Sequence, residues 1–314
     1  MRLESRYNPV RSPFLVESIQ SMSNIFQRIA LIGLGEVGGI LAADLIAREH
    51  KPFAAFDLRF TDAASPPSQT AAKLELGKAA SAAEAVAGAD LVISAVTAGR
   101  AMEAAQAVAP HLAPDAFYLD VNSVSPATKQ AAAAVIEAAG GRYVESSVMS
   151  SFPPKRIRTP MLLGGPHAAL FSSLAVALDF DAKVFGDQVG GASAVKMCRS
   201  VMVKGMEALF LESMTAARHY GVEKLVLASL QDTLPGIDTA ELARYMISRA
   251  VLHGKRRAEE VREVAKTVEE AGIVARMSHA IAEHQDWAAV QGQTMERSLI
   301  ADASLETLLN VLMS

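Results

Sequence analysis

From residue 28 onward, short apolar runs alternate with segments whose apolar residues recur every three or four positions. The runs at 28–33, 52–57, 90–96, 116–121, 142–148, 160–164 and 182–186 read as strands, the first of them buried. Segments 36–49, 99–109, 126–139 and 166–177 read as the helices between them. Such alternation predicts an α/β fold with a doubly wound, mainly parallel sheet. Ser65-Pro66-Pro67-Ser68 predicts a loop after the second strand. The pattern changes after Gly190-Gly191. From Ala192 to about His219 there is no proline, and Val195, Met202, Met206, Leu209 and Phe210 keep helical spacing. The rest also reads helical, with breaks at Gly221, Pro235-Gly236 and Gly272. A sheet domain over 28–188 is therefore expected, then a long interdomain helix opening an all-α domain over 189–314. Residues 1–27 lack periodicity and are expected to form a flexible N-terminal extension.

Composition narrows the partners. A net charge of −4 gives no basis for a nucleic-acid partner. No apolar run reaches transmembrane length, so no membrane partner is expected. Cys198 is the only cysteine, which excludes an intrachain disulfide and suits a reducing cytoplasm. It reads as an inert buried thiol. His219, His279 and His284 show no metal-ligand spacing, so no metal site is expected.

The first strand runs straight into Gly33-Leu34-Gly35-Glu36-Val37-Gly38, and a helix follows. Gly33 permits the tight turn, Gly35 lets a pyrophosphate approach bare backbone, and Gly38 lets helix and strand pack closely. First-turn N–H groups have no partner within the helix and point toward such a phosphate. Asp57 closes the second run about 20 residues on, where a ribose ligand belongs. Together they predict a Rossmann domain that binds NAD or NADP through Gly33 to Gly38, Asp57, Arg59, Val96 and Thr97. Asp57 favours NAD, because a carboxylate repels a 2′-phosphate; Arg59 would favour NADP. The balance leans to NAD.

Two further segments could do chemistry. Asp120-Val121-Asn122-Ser123-Val124-Ser125-Pro126 lies at the end of the fourth strand, where ligands bind in such sheets. Ser125 before Pro126 starts a helix, and Asn122 and Ser123 are expected to face the ligand. Gly190-Gly191-Ala192-Ser193-Ala194-Val195-Lys196 places a lysine in the first turns of the long helix, among small and apolar residues. Its position near a helix N-terminus lowers its pKa, which suits a general acid/base. The bland alternative is a lysine that snorkels to solvent. Lys155, Arg156 and Arg158 crowd a proline-bounded loop that reads first as solvated surface and second as an anion clamp.

These pieces resemble, over residues 28 to about 220, the β-hydroxyacid dehydrogenases, the family of 6-phosphogluconate and 3-hydroxyisobutyrate dehydrogenases. His253-Gly254-Lys255-Arg256-Arg257 looks like a branch with its own, divergent C-terminal domain. The resemblance implies an NAD(P)-dependent oxidoreductase acting on a small, anionic hydroxy acid, or its reverse, with Lys196 moving the hydroxyl proton. It also implies substrate contacts from Asn122, Ser123, Ser147, Met149, Ser200 and Arg257, and a homodimer built through the α domain. In that family a partner subunit brings basic residues into the site, and His253, Arg256 and Arg257 share one helix face. Glu259, Glu260 and Glu263 could simply pair with them. Two departures stand out: Ser200 replaces the family's asparagine, and Glu145-Ser146-Ser147-Val148-Met149-Ser150-Ser151 lacks the glycine pair of its substrate loop. They keep a non-catalytic nucleotide-binding sensor open as an alternative. An imine reductase is another, and Lys196 counts against it. Exposed apolar surface at Leu225-Val226-Leu227 and from Leu305 to Met313 is the sequence basis for the dimer.

Overall fold

The computed structural model describes residues 25–313 except 51, 53 and 295, so the N-terminal extension up to residue 24 lies outside the described residues. Strands β1 (Ile29–Ile32), β2 (Ala54–Phe56), β3 (Leu91–Ser94), β4 (Phe117–Asp120), β5 (Arg142–Val148), β6 (Met161–Gly164) and β7 (Ala182–Gly186) form one sheet. Their order is β2-β1-β3-β4-β5-β6-β7. All neighbours are parallel except β5 and β6. The chain leaves β1 toward one side and resumes at β3 on the other. A crevice therefore opens beyond the carboxyl ends of β1 and β3.

Both faces of the inner strands are buried, which explains their unbroken apolar runs, while the edge strand β7 is largely exposed. Ile29, Leu31, Ile93 and Leu119 join one core, and Ala30, Ile32, Val92 and Tyr118 join the other. Helices α1 (Glu36–Ile46), α2 (Pro66–Lys73), α3 (Ala82–Val86), α4 (Ala101–Val108), α5 (Pro126–Ala138), α6 (Phe152–Lys155) and α7 (Ala168–Ala175) connect the strands. The loop expected at 65–68 is instead a helix start. Ser65 Oγ accepts the Ser68 N–H, and both prolines occupy first-turn positions where no N–H is needed. The cationic loop is a brace and not a clamp: Arg156 pairs with Asp44 at 2.7 Å, and Arg158 pairs with Asp179 at 2.7 Å.

Helix α8 (Gly191–Tyr220) leads into α9 (Glu223–Thr233), α10 (Thr239–Glu270), α11 (Arg276–Gln291), α12 (Arg297–Asp302) and α13 (Leu305–Met313). Leu211 and Met214 of α8 pack with Ile247 and Ala250 of α10. Gly254 lets α10 and α11 touch, since a Cβ there would meet the Gln285 carbonyl oxygen at 2.4 Å. Leu308, Leu309 and Leu312 fill the chain's own core, so α13 is not the exposed apolar surface anticipated for a dimer.

The helical part is tied to the sheet by carboxylates that cap helices across the junction. Glu145 of β5, fully buried, accepts the Gly190 N–H at 2.7 Å and the Ser193 N–H at 2.6 Å, at the start of α8. In return, Glu263 of α10 accepts the Ser125 N–H at 2.9 Å, and Glu270 accepts the Ala127 N–H at 3.2 Å, at the start of α5. Each carboxylate meets N–H groups that have no partner inside the helix and sit at its positive end. Glu145→Leu leaves two buried donors unpaired. It should lower unfolding free energy by about 2–5 kcal/mol, read from the urea midpoint. An unchanged midpoint would show that the cap carries no weight.

Candidate active site

Two clefts meet at the first turn of α1. The first, about 360 Å³, is lined by Gly33, Gly35, Asp57, Arg59, Val96 and Thr97. The three glycines divide the labour as expected. A Cβ at Gly33 would meet the Ala95 carbonyl oxygen at 2.5 Å, and one at Gly38 would meet the Gly33 carbonyl oxygen at 2.0 Å. Both are needed by the protein itself. A Cβ at Gly35 would meet nothing within 4 Å, so the space over Gly35 is left open for a ligand. No side chain caps α1 at Gly35, which leaves its first-turn N–H groups for a phosphate. Asp57 accepts the Leu34 N–H and the Arg59 N–H, each at 2.9 Å, which orients its carboxylate at the lip of the turn. The residues present therefore fit a dinucleotide.

The second cleft, about 350 Å³, carries Lys196, Ser123, Met149, Ser200 and Arg257 on its walls. Lys196 Nζ donates to Ser123 Oγ at 2.5 Å, joining the α8 lysine to the end of β4. Lys196 is half-buried on the cleft wall. Burial pulls its pKa down to about 7, helped by the charges of Lys129, Lys204 and Arg256 and opposed by Glu260.

Lys196 is not a lone cation on an apolar face. Lys204, two turns along α8, pairs with Glu260 of α10 at 3.1 Å and donates to Ser200 Oγ at 3.3 Å. Glu260 also pairs with Arg256 at 3.2 Å. Burial alone would raise the Glu260 pKa, yet Lys204, Arg256 and Lys196 lower it to about 2. Arg257 crosses to Glu207 of α8 at 3.0 Å. Sequence reading missed Lys204, Glu207 and Arg249, while the pairing it allowed between Glu260 and the basic face of α10 is made with Arg256. Helical spacing carried the signal, since 196, 200, 204 and 207 share one face of α8, and 249, 253, 256 and 260 one face of α10. The basic residues lining the cleft come from α8 (Lys196, Arg199, Lys204) and α10 (Arg249, His253, Arg256, Arg257) of this chain.

Several expected contacts are corrected. The Asn122 side chain does not face the ligand: its Oδ1 accepts the Val96 N–H at 2.7 Å and its Nδ2 donates to Ser94 Oγ at 3.0 Å. It ties β4 to β3 and sets the cleft wall. Ser147 is buried within β5 and lines neither cleft. Side chains alternate along a strand, and Val148 takes the cleft-facing place. Leu34 lies in the core, so only its backbone belongs to the turn. Glu36 and Val37 line the lysine cleft and not the nucleotide cleft, and Val37 also packs against the sheet core. Cys198 is exposed, not buried. His279 pairs with Glu269 at 2.8 Å, a surface role.

Behind Ser123, Asp120 is buried and saturated. It pairs with the fully buried Lys129 at 3.0 Å and accepts the Tyr143 hydroxyl at 2.7 Å and the Asn122 N–H at 2.9 Å. The loop that presents Ser123 to Lys196 is therefore rigidly seated.

Because Gly35→Val meets open space, it should keep the wild-type melting temperature while abolishing NADH and NADPH affinity, read by fluorescence titration. Retained affinity would remove Gly35 from the binding site.

The comparisons with known proteins agree with this geometry. A family model described as the NAD binding domain of 6-phosphogluconate dehydrogenase matches residues 28–185, and one described as a domain of unknown function (DUF1932) matches residues 217–288. A conserved hypothetical protein from Sinorhizobium meliloti 1021 has a solved structure with TM-score 0.71 and 36% identity, covering 93% of this chain and 98% of that one. A conserved protein of unknown function, its structure described as similar to 3-hydroxyacid dehydrogenases, is 30% identical with TM-score 0.63, covering 84% of this chain and 99% of its own. The 3-hydroxyisobutyrate dehydrogenase of Pseudomonas aeruginosa is 25% identical over 217 residues, 66% of this chain and 70% of its own length. Among the described residues, no helix is long and apolar enough to cross a membrane. The chain belongs to the family built on the NAD-binding domain of 6-phosphogluconate dehydrogenase, carries the DUF1932 domain behind it, and shares its fold with the 3-hydroxyacid dehydrogenases.

Proposed function

We propose that this protein is an NAD(P)-dependent oxidoreductase that oxidises the hydroxyl of a small, anionic hydroxy acid, or reduces the matching carbonyl. The observation that carries this reading is the Lys196–Ser123 hydrogen bond in the second cleft, with the lysine pKa brought to about 7. A bound NAD(P) supplies the hydride acceptor. Gly35 and the first turn of α1 hold its pyrophosphate, and Asp57 receives the ribose hydroxyls, which favours NAD. Neutral Lys196 accepts the hydroxyl proton as the carbon–hydrogen bond breaks, and Ser123 holds the lysine in line. In reduction the ammonium returns that proton to the forming alkoxide. Arg257 and its neighbours attract the carboxylate. Ser200, standing where the resembling family has asparagine, remains polar and inside the cleft.

Oxidation needs Lys196 unprotonated. The oxidative kcat should therefore rise with pH through about 7, and the reductive rate should fall through the same range. Lys196→Met and Lys196→Arg should each lower kcat by about 10²–10⁴-fold, with cofactor affinity retained; a guanidinium stays protonated. Full activity in Lys196→Arg, measured across a panel of hydroxy acids, would end this mechanism.

We further propose a homodimer. Exposed Val195, Met202 and Leu209 form a stripe along α8, and Met277 and Val290 on α11 are exposed as well. Sedimentation at micromolar concentration should give twice the chain mass, and a monomer contradicts the proposal.

A further inference from the structure

We propose that Ser123 and Lys196 form a serine–lysine dyad that gives the second cleft an acyl-transfer activity: hydrolysis of small esters through an acyl group carried on Ser123 Oγ. This activity shares its lysine with the proposed oxidoreductase but needs neither nucleotide nor hydride, so each reading fails without the other.

A serine hydroxyl becomes a nucleophile when an unprotonated base lies within hydrogen-bond reach. The pair meets that condition, with 2.5 Å between Lys196 Nζ and Ser123 Oγ. Among the described residues Ser123 Oγ has no other hydrogen-bond partner. Burial brings the lysine pKa to about 7, so near neutral pH a large share of the molecules carry a free Nζ lone pair. In that state the same contact serves the opposite direction, with the Ser123 O–H donating to nitrogen. The charge of Glu260 favours the ammonium that forms once the proton has crossed.

The backbone around Ser123 suits a nucleophile as well. Ser123 follows the carboxyl end of β4 and precedes Ser125, the cap of α5, so a strand–turn–helix presents its hydroxyl beyond the strand end. Ser123 and Lys196 both line the cleft of about 350 Å³, a size that suits a small acyl ester. Within the turn, Asp120 takes the Asn122 N–H and Glu263 takes the Ser125 N–H. Between them, the N–H groups of Ser123 and Val124 have no acceptor among the described residues. Val124 is fully buried, where an unanswered N–H is costly. These two donors flank the nucleophile along the chain, and the charge that develops on an acyl oxygen calls for such donors. The chemistry balances with water as the only co-reactant. Ser123 Oγ bonds to the acyl carbon as its proton passes to Lys196 Nζ, and the carbonyl π pair moves onto oxygen. The oxyanion collapses, the bond to the leaving oxygen breaks, and the lysine ammonium gives that oxygen the proton. Water then attacks the acyl-serine and passes a proton to neutral Nζ. Collapse frees the acid, and Oγ takes the proton back. Nothing is oxidised or reduced.

The test is release of p-nitrophenol from p-nitrophenyl acetate by the full chain without nucleotide, followed by peptide mass spectrometry of the quenched protein. We expect a burst of about one equivalent per chain, an acetyl group on Ser123, and continued turnover. The rate should rise with pH through about 7, as Lys196 loses its proton. Ser123→Ala and Lys196→Met should each lower it by about 10²–10⁴-fold. Lys196→Arg should not restore it, because a guanidinium stays protonated. Ser123→Cys keeps a nucleophile of similar shape and should still take up the acetyl group, and the melting temperature reports whether each variant is folded. An acetyl group found on Lys196 Nζ in place of Ser123, or hydrolysis that survives Ser123→Ala, overturns the dyad. Hydrolysis through Ser123 without turnover of any hydroxy acid upholds the dyad while removing the oxidoreductase reading. Lys196-dependent turnover of a hydroxy acid without ester hydrolysis does the reverse.

Discussion

A single buried carboxylate does more than any other group to give this molecule its working shape. Glu145 projects from β5 onto the first turn of α8, where Gly190 and Ser193 offer N–H groups with no helical partner. Helix α8 is both the link to the helical domain and the element that carries Lys196. Its starting point and direction are therefore set from the sheet. Gly164 on the neighbouring strand β6 leaves room for the carboxylate, since a Cβ there would meet Glu145 Oε2 at 2.4 Å. The return contacts of Glu263 and Glu270 with the start of α5 close the bracket from the other side. Helix ends that would otherwise need water are satisfied across the junction, so the two parts cannot separate without exposing charges and donors together.

The consequence is a lysine with an unusual environment at a fixed place. Seating β4's end through Asp120, Lys129 and Tyr143 brings Ser123 to meet the lysine that α8 delivers. Two independent anchors, one on each side, converge on one hydrogen bond. The surrounding cations and the loss of water then act in the same direction on the lysine proton, while Glu260 restrains them. Glu260 is itself held anionic by Lys204 and Arg256, so the cleft keeps a paired, neutralising charge beside the lysine.

Much of this was legible in the chain. The seven strand runs, their order of appearance, the Gly33–Gly38 turn with Asp57 behind it, and the long helix carrying Lys196 all follow from local rules. Apolar period, glycine placement and helix-start chemistry act over a few residues, and a sequence displays them directly. Tertiary structure decided the rest. Whether Asn122 reaches a ligand or a neighbouring strand depends on how β3 and β4 lie side by side, and Val96 and Ser94 claim its amide. Whether α13 is a surface or a core depends on which helices close over it. Lys204, Glu207, Arg249 and Glu260 stand in the sequence as ordinary charged residues of two amphipathic helices. Only the antiparallel approach of α8 and α10 puts them in one cleft, because burial and pairing of charge are properties of the space between elements and not of either element alone.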